Sequence, residues 1–183
     1  MSKAVLISIR PKWCELIASG KKTIEVRKTR PQIKTPFKCY IYCTNNGDTL
    51  YSVNGKVQPC NSFKINLKEN SRVSELNGYV IGEFVCDRIF DIELTDEGYD
   101  FDVPKLTGLK YEELETYLDR KNGFGWLISA LKVYDEPKEL CEFMQCHKCE
   151  YYSGCKEHEY GCDGIYKVKR PPMSWCYVEE LTI

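Results

Sequence analysis

Short apolar segments separated by turn residues predict a chain built mostly of β-strands. Apolar residues cluster or alternate over strand length in six places, and Asn45–Asp48 and Asn54–Gly55 are turn signals between them. We expect strands at residues 4–9, 23–27, 37–44, 78–86, 124–133 and 175–179. Gly82 lies inside the fourth segment, where it indicates a bend or the close approach of another strand.

Two helical segments interrupt this pattern. Pro11 suits the first turn of a helix, apolar residues then recur at a spacing of three to four, and Gly20 suits the position just past the end. Residues 110–118 predict a second short helix. A strand–helix–strand opening followed mainly by strands predicts an α+β fold, a small closed β-barrel with short helices at its rim, because the helical content is too low for a doubly wound sheet.

The length of 183 residues suits one domain with insertions. We predict a single domain over residues 1–183, with a polar excursion at 45–75 and a cysteine-rich insertion at 141–170. No apolar run approaches the ~20 residues that cross a bilayer, so we expect no membrane partner. The first residues resemble a strand rather than an export signal, which predicts a cytoplasmic protein whose cysteines stay reduced or bind metal.

Charge is distributed very unevenly along the chain. The net charge of −1 hides a basic segment, residues 1–40, with ten Lys/Arg against two Glu. An acidic segment, residues 87–119, has eleven Asp/Glu against three Lys/Arg. The basic segment predicts a phosphate-binding surface. The alternative is that the two segments pair with each other in the fold.

The sequence GKKTIEVR at residues 20–27 holds the strongest candidate chemistry. Side chains alternate along a strand, so Thr23, Glu25 and Arg27 should share one face, with Lys22 at its entrance. Such a row can bind phosphate through Arg27 and a base edge through Glu25 or Thr23. It can also move protons if Lys22 is desolvated. The alternative is an amphipathic strand whose polar side faces water.

Several segments together resemble the ASCH family of the PUA-like superfamily. They are ISIRP at residues 7–11, GKKTIEVRK at 20–28 with its complete G-x-K-T-x-E-x-R pattern, KCYIYCT at 38–44 and GYVIGEF at 78–84. The resemblance covers roughly residues 4–134, and the ending RPPMSWCYVE at 170–179 resembles phage and Firmicutes members.

The resemblance implies a pseudo-barrel whose cleft is lined by the G-x-K-T-x-E-x-R strand and which binds RNA or DNA in some members. One branch of the family hydrolyses N4-acetylcytidine with a lysine, a threonine and a glutamate. Lys22 falls on that lysine, but Glu25 stands where the catalytic threonine is expected. Thr23 matches the shared pattern rather than the catalytic threonine, and Glu83 is our candidate for a second carboxylate.

Four cysteines crowd into a short stretch near the end of the chain. Four thiolates complete the tetrahedral shell of a structural Zn²⁺, and the first pair has C-x2-C spacing. The predicted ligands are Cys146, Cys149, Cys155 and Cys162, with His147 and His158 as substitutes for one of them. An iron–sulfur cluster and reduced free thiols are the alternatives.

The leading hypothesis is a module that binds RNA, DNA or a modified nucleoside in a basic cleft. Lys22 contributes charge to it, and the other ligand-binding candidates are Arg10, Lys12, Trp13, Lys21, Arg27 and Lys28. The rival is a hydrolase acting on a modified nucleoside or RNA, with the catalytic candidates Lys22, Glu25, Thr23 and Glu83. A third class is an adaptor that docks a protein through the cysteine-rich insertion.

Overall fold

The computed structural model describes residues 2–59, 70–95, 98–99, 102–146 and 165–181. Its helices are α1 (Pro11–Ala18), α2 (Asp102–Thr107) and α3 (Tyr111–Leu118), with a 3-10 turn at Leu140–Glu142. Its strands are β1 (Lys3–Ile9), β2 (Ile24–Arg27), β3 (Phe37–Cys43), β4 (Tyr51–Val53), β5 (Lys56–Val57), β6 (Val73–Glu75), β7 (Val80–Ile92), β8 (Gly123–Lys138), β9 (Met144–Cys146), β10 (Ile165–Lys167) and β11 (Trp175–Glu179).

The described strands form one large sheet and one small sheet. The large sheet has eight strands in the order β10-β9-β11-β1-β3-β7-β8-β2. Within it β1 and β3 run parallel, whereas the other neighbours are antiparallel. The small sheet has the order β5-β4-β6 and lies within the predicted 45–75 excursion. Strands outnumber helices, so the α+β prediction is confirmed.

The prediction of a closed barrel is wrong, because the large sheet is open over the part of the chain that the structure describes. β2 and β10 are its edge strands. β1 pairs with β3 on one side and with β11 on the other, so no backbone edge of β1 is left for β2. The side chain of Arg27 reaches from β2 to the end of β1 instead, where its Nη2 donates to the carbonyl of Ser8 at 2.7 Å.

The first helix turns the chain between β1 and β2 and is specified at both ends. Pro11 occupies its first turn, where a missing N–H costs nothing. Gly20 follows its end with φ of +73°, a left-handed conformation that glycine adopts without a Cβ penalty. Cys14 and Ile17 are buried against the sheet. This turn delivers the chain directly into Lys22 and β2.

Both faces of the large sheet are covered. One face carries a core that includes Ile7, Cys39, Phe84 and Trp126. The other face packs a second core, which includes Leu6, Tyr40, Val80, Phe143 and Val178. A third, smaller cluster joins Val26 of β2 to Leu114 and Leu118 of α3 and to Ile92 and Tyr99. Cys14, Cys39, Cys43 and Cys86 are buried free thiols, while Cys60 lies outside the described residues.

Local turn chemistry agrees with the sequence in two places. Asn54 and Gly55, with φ of 51° and 76°, connect β4 to β5 as the predicted hairpin turn. A Cβ on Gly82 would lie 2.5 Å from the carbonyl oxygen of Lys132, so the predicted close approach of another strand is confirmed. None of the described helices is long and apolar enough to span a membrane.

Candidate functional site

Three charged side chains of the GKKTIEVR segment are buried together. Those of Lys22, Glu25 and Arg27 are only 2%, 8% and 7% exposed. Glu25 and Arg27 share one face of β2, as the alternation predicts, and Lys22 joins them from the turn before the strand. Charged residues are seldom buried this deeply unless they are paired. We call these three residues the buried cluster.

Glu25 lies between the two cations of the buried cluster. Its Oε1 is 2.9 Å from Nη2 of Arg27, and its Oε2 is 3.3 Å from Nζ of Lys22. The Lys22 ammonium also donates to the carbonyl of Thr107 in α2 at 2.7 Å, and it lies 5.5 Å from the centre of the Trp13 ring. Two positive charges therefore share one carboxylate.

Arg27 links β2 to two segments that are distant from it in the sequence. Its Nη1 lies 3.4 Å from the carbonyl oxygen and 3.3 Å from the hydroxyl of Ser174, just before β11. Together with its bond to Ser8, these contacts make its guanidinium a bridge between β2, β1 and the approach to β11. Arg27 is thus a structural part of the site wall.

Burial changes the acid–base properties of the cluster. Burial lowers the pKa of Lys22 below its ordinary value of 10.5, and the charge of Arg27 lowers it further, whereas Glu25 raises it. The net lowering means that desolvation outweighs the pairing with Glu25. A lysine in this setting gives up its proton more easily than one at the surface.

Two polar donors of the site have no hydrogen-bond partner among the described residues. They are Nε of Arg27 and Nε1 of Trp126, whereas Oε2 of Glu25 is held by its ion pair with Lys22. Trp126 lies directly across from Glu25 in the pairing of β2 with β8. Buried polar atoms are nearly always satisfied in folded proteins, so two unpaired donors beside the buried cluster are unusual, and both are shielded from solvent in this structure.

Exposed cations and aromatic rings surround the buried cluster. Arg10, Lys21 and Lys28 are exposed, and none of them makes an ion pair with a residue that the structure describes. Lys28 lies 5.8 Å from the centre of the Tyr117 ring in α3. Lys12 lies 4.4 Å from the centre of the Trp13 ring.

Comparison with known proteins agrees with this arrangement. The ASCH domain profile matches residues 7–96, which include the whole buried cluster. Residues 7–96 of this chain are therefore similar to the ASCH domain. No curated protein matches the sequence.

Two crystal structures from Zymomonas mobilis have a fold similar to that of this chain. A tyrosine-to-phenylalanine variant of ZmASCH superposes with a TM-score of 0.57 at 16% sequence identity, covering 98% of this chain and 92% of that one. The ASCH protein from the same organism gives a TM-score of 0.55 at 16% identity, covering 97% of this chain and 88% of that one. The likeness extends beyond the residues that the profile matches.

The structure separates Glu83 from the other catalytic candidates of the chain. Glu83 accepts a hydrogen bond from the hydroxyl of Tyr134 at 2.6 Å and lies 3.7 Å from Nζ of Lys38. Its neighbour Phe84 points into the core that contains Trp126, so Glu83 projects from the other face of the sheet. The second carboxylate predicted beside Lys22 is therefore absent at this position. Thr23 is exposed at the start of β2, and its hydroxyl lies 3.5 Å from the carbonyl of Leu106.

Two residues of the site are not singled out by the sequence pattern. Thr107 belongs to α2, which begins at Asp102 in a segment rich in acidic residues that the sequence pattern does not mark as a helix. Tyr117 belongs to the predicted second helix, but no local signal places its ring beside Lys28. Ser174 directly precedes the last predicted strand, a position that could indicate that it lines the site.

The basic and acidic segments of the chain also pair in part, as the alternative interpretation of the charges predicts. Nζ of Lys12 lies 3.0 Å from Oε1 of Glu113, and both side chains are substantially exposed. Lys12 is therefore less available to a ligand than Arg10, Lys21 or Lys28. The cysteine ligands predicted at Cys149, Cys155 and Cys162 lie outside the described residues, as does the side chain of Cys146.

Proposed function

We propose that this chain binds single-stranded RNA, with one base or modified nucleoside held at the buried cluster. The observation that carries the proposal is a cluster of buried charges, ringed by exposed cations that make no ion pair with the described residues. Members of the ASCH and PUA-like families generally bind RNA. DNA and a free nucleoside share the same chemistry and are the other ligands to test.

The polar atoms of the buried cluster suit the edge of a base once the cluster opens to it. The carboxylate of Glu25, which pairs with Lys22 and Arg27 in the structure, can accept a hydrogen bond from an exocyclic amine, a pairing that proteins use for cytosine. Nε of Arg27 and Nε1 of Trp126 can donate to ring or carbonyl acceptors. A neutral, well-packed core would be as stable as a buried ion cluster, so the retention of three charges here supports a functional role.

The exposed cations around the buried cluster, which we call the basic rim, suit the phosphate backbone. Arg10, Lys21 and Lys28 are exposed and free of ion pairs with described residues, and Tyr117 offers an aromatic face beside Lys28. Phosphate contacts supply affinity, and aromatic stacking of splayed bases is the common way of holding single-stranded RNA.

Replacing Arg10, Lys21 and Lys28 with glutamine should weaken RNA binding and flatten its salt dependence. Each lost phosphate contact removes about 0.7 from the slope of log affinity against log salt, so the triple variant should lose about 2. Fluorescence anisotropy with labelled oligouridylate over a salt series measures the slope. The control is a triple variant of the exposed Lys56, Lys132 and Lys169, which should keep the wild-type slope. Salt-independent binding, or no binding of RNA or DNA by the wild type, would contradict the proposal.

The second candidate function is hydrolysis of a modified nucleoside, and it rests on the lowered pKa of Lys22. On N4-acetylcytidine, Lys22 in its neutral form would take a proton from water as the resulting hydroxide attacks the acetyl carbon. The C–N bond then breaks, acetate leaves, and the departing amine of cytidine takes up the proton. Glu25 would orient the ammonium that forms, since the two groups lie 3.3 Å apart.

We also propose that Cys146, Cys149, Cys155 and Cys162 hold one zinc ion. Cys146 pairs directly with Ile165, so a β-ladder joins the two ends of the segment that carries these cysteines. Four thiolates in a closed loop suit structural zinc. The cytoplasm, where thiols stay reduced, is the compartment that fits this proposal and the buried free thiols of the core.

Metal analysis of protein purified without chelator should find one zinc per chain. Replacing Cys149 and Cys155 with serine should remove it, because two of the four ligands are lost. The same double substitution at the core thiols Cys14 and Cys43 should leave the zinc content unchanged. Iron in place of zinc would indicate a cluster, and a protein without stoichiometric metal would refute the site.

A further inference from the structure

A second cationic site lies outside the buried cluster, between the loop that follows β2 and the middle of β7. It is an open depression of about 610 Å³. Its charged lining is Arg30, Lys34 and Arg88, and its apolar lining includes Ile33 and Ile89. Among the residues that the structure describes, none with an acidic side chain lines it. The depression therefore combines an apolar floor with a cluster of positive charges.

The three cations of this depression have no hydrogen-bond or ion-pair partner among the described residues. Arg30, Lys34 and Arg88 are all exposed, and none of them forms a side-chain hydrogen bond or ion pair with the residues that the structure describes. Like charges held close together repel each other, so without an anion their clustering is unfavourable. The arrangement indicates an anionic ligand.

The depression is preorganised by contacts on both of its sides. The loop is tied to β11, because the backbone N–H of Gln32 donates to the hydroxyl of Tyr177 at 2.7 Å. Nε1 of Trp175 also donates to the hydroxyl of Thr29 at 3.1 Å. On the opposite side, Arg88 occupies an irregularity in the pairing of β7 with β8, and such bulges redirect side chains.

The depression continues the basic rim. Arg30 is two residues beyond Lys28, and its guanidinium lies 5.6 Å from the centre of the Phe124 ring. Phe124 is the β8 partner of Arg27, so Arg30 stands next to the buried cluster along the sheet. Residues 28 and 29 form a bend after β2, so Arg27 and Arg30 are closer together than the ~10 Å that three extended residues would span. One strand of nucleic acid can span that distance.

We infer that this depression binds the phosphate backbone of the single-stranded RNA as the strand leaves the buried cluster. The inference rests on the proposed function and makes the ligand a polymer rather than a free nucleoside. The apolar floor accommodates sugar and base surfaces, while Arg30, Lys34 and Arg88 contact successive phosphates. A mononucleotide held at the buried cluster has no chain of successive phosphates to contact all three cations.

The test uses two labelled oligouridylates, of about 4 and about 16 nucleotides, the range of site sizes known for single-strand-binding domains. Replacing Arg30, Lys34 and Arg88 with glutamine should weaken binding of the long oligomer at low salt on the order of tenfold, and lower its salt slope by about 2. Binding of the short oligomer should change much less. The Lys56, Lys132 and Lys169 triple variant removes the same charge elsewhere and should bind both as the wild type does.

The rim variant separates failure of the inference from failure of the proposed function. If the Arg10, Lys21 and Lys28 variant loses affinity while the depression variant keeps it, the proposed function stands and the inference is overturned. If the wild type binds neither oligomer, both are overturned. Labelled polyglutamate tests the other kind of anionic partner. If the depression variant binds polyglutamate more weakly than the wild type does but binds RNA equally well, the surface is assigned to an acidic protein and the inference is overturned.

Discussion

Replacing Glu25 with glutamine should lower the free energy of unfolding by about 3–5 kcal/mol, the cost of removing one partner from a buried ion pair. The substitution keeps the size of the side chain but removes the only negative charge of the buried cluster. Lys22 and Arg27 would then face each other in a site where their side chains are 2% and 7% exposed. Urea denaturation followed by circular dichroism measures the change.

Two matched variants show whether burial is the cause. Glu136 pairs with Arg72 at 2.8 Å, but the two side chains are 70% and 67% exposed, so Glu136→Gln should cost about 0–1 kcal/mol. Lys22→Met removes one of the two cations and leaves Glu25 and Arg27 balanced, and it should be neutral or stabilising. Equal losses for Glu25→Gln and Glu136→Gln would contradict the assigned role of the buried cluster.

The free energy of unfolding of the same variants should depend differently on pH. The pKa of Lys22 is lowered in the folded state, so the unfolded state binds more protons between that value and 10.5. The stability of the wild type should therefore gain a contribution from Lys22 as pH rises through this window. Glu25→Gln removes the main influence that raises the pKa of Lys22, so its gain should be larger, and Lys22→Met should have none.

Strand alternation in the sequence correctly places Glu25 and Arg27 on one face, but it does not predict their burial. Period-two alternation fixes which side chains share a face and says nothing about what covers that face. Here the cover comes from distant segments, through Thr107 of α2 and Ser174 near the end of the chain. These contacts place Lys22 inside the site rather than at its entrance.

The open sheet and the placement of Glu83 have related causes. The closed barrel fails because β11, from the far end of the chain, occupies the edge of β1 that β2 would need. Glu83 is separated from the buried cluster because it directly precedes Phe84 in β7, and adjacent residues of a strand point to opposite faces of the sheet. Both outcomes depend on long-range strand pairing, which local patterns do not encode.

Substitutions of Lys22 should give the second large effect and distinguish the two candidate functions. If Lys22 is the general base of a hydrolase, Lys22→Met should lower the turnover of N4-acetylcytidine by about a hundredfold to ten-thousandfold, since the thioether cannot take up a proton. Lys22→Arg should lose turnover as well, because a guanidinium stays protonated at usable pH. Affinity for cytidine should change little in both variants, since the polar atoms of Glu25, Arg27 and Trp126 remain.

The binding proposal expects a different result from the same proteins. The departure at Glu25 from the amidohydrolase pattern and the placement of Glu83 away from Lys22 both favour it. The wild type should then show no hydrolysis of N4-acetylcytidine, and Lys22→Arg should keep most of the RNA affinity, because it keeps the positive charge. Lys22→Met controls for a packing effect of the larger guanidinium. Methionine is close to lysine in length, and the remaining pair of Glu25 and Arg27 has no net charge. Hydrolysis by the wild type that both variants lose, with cytidine still bound, would overturn the binding proposal and make Lys22 the catalytic base.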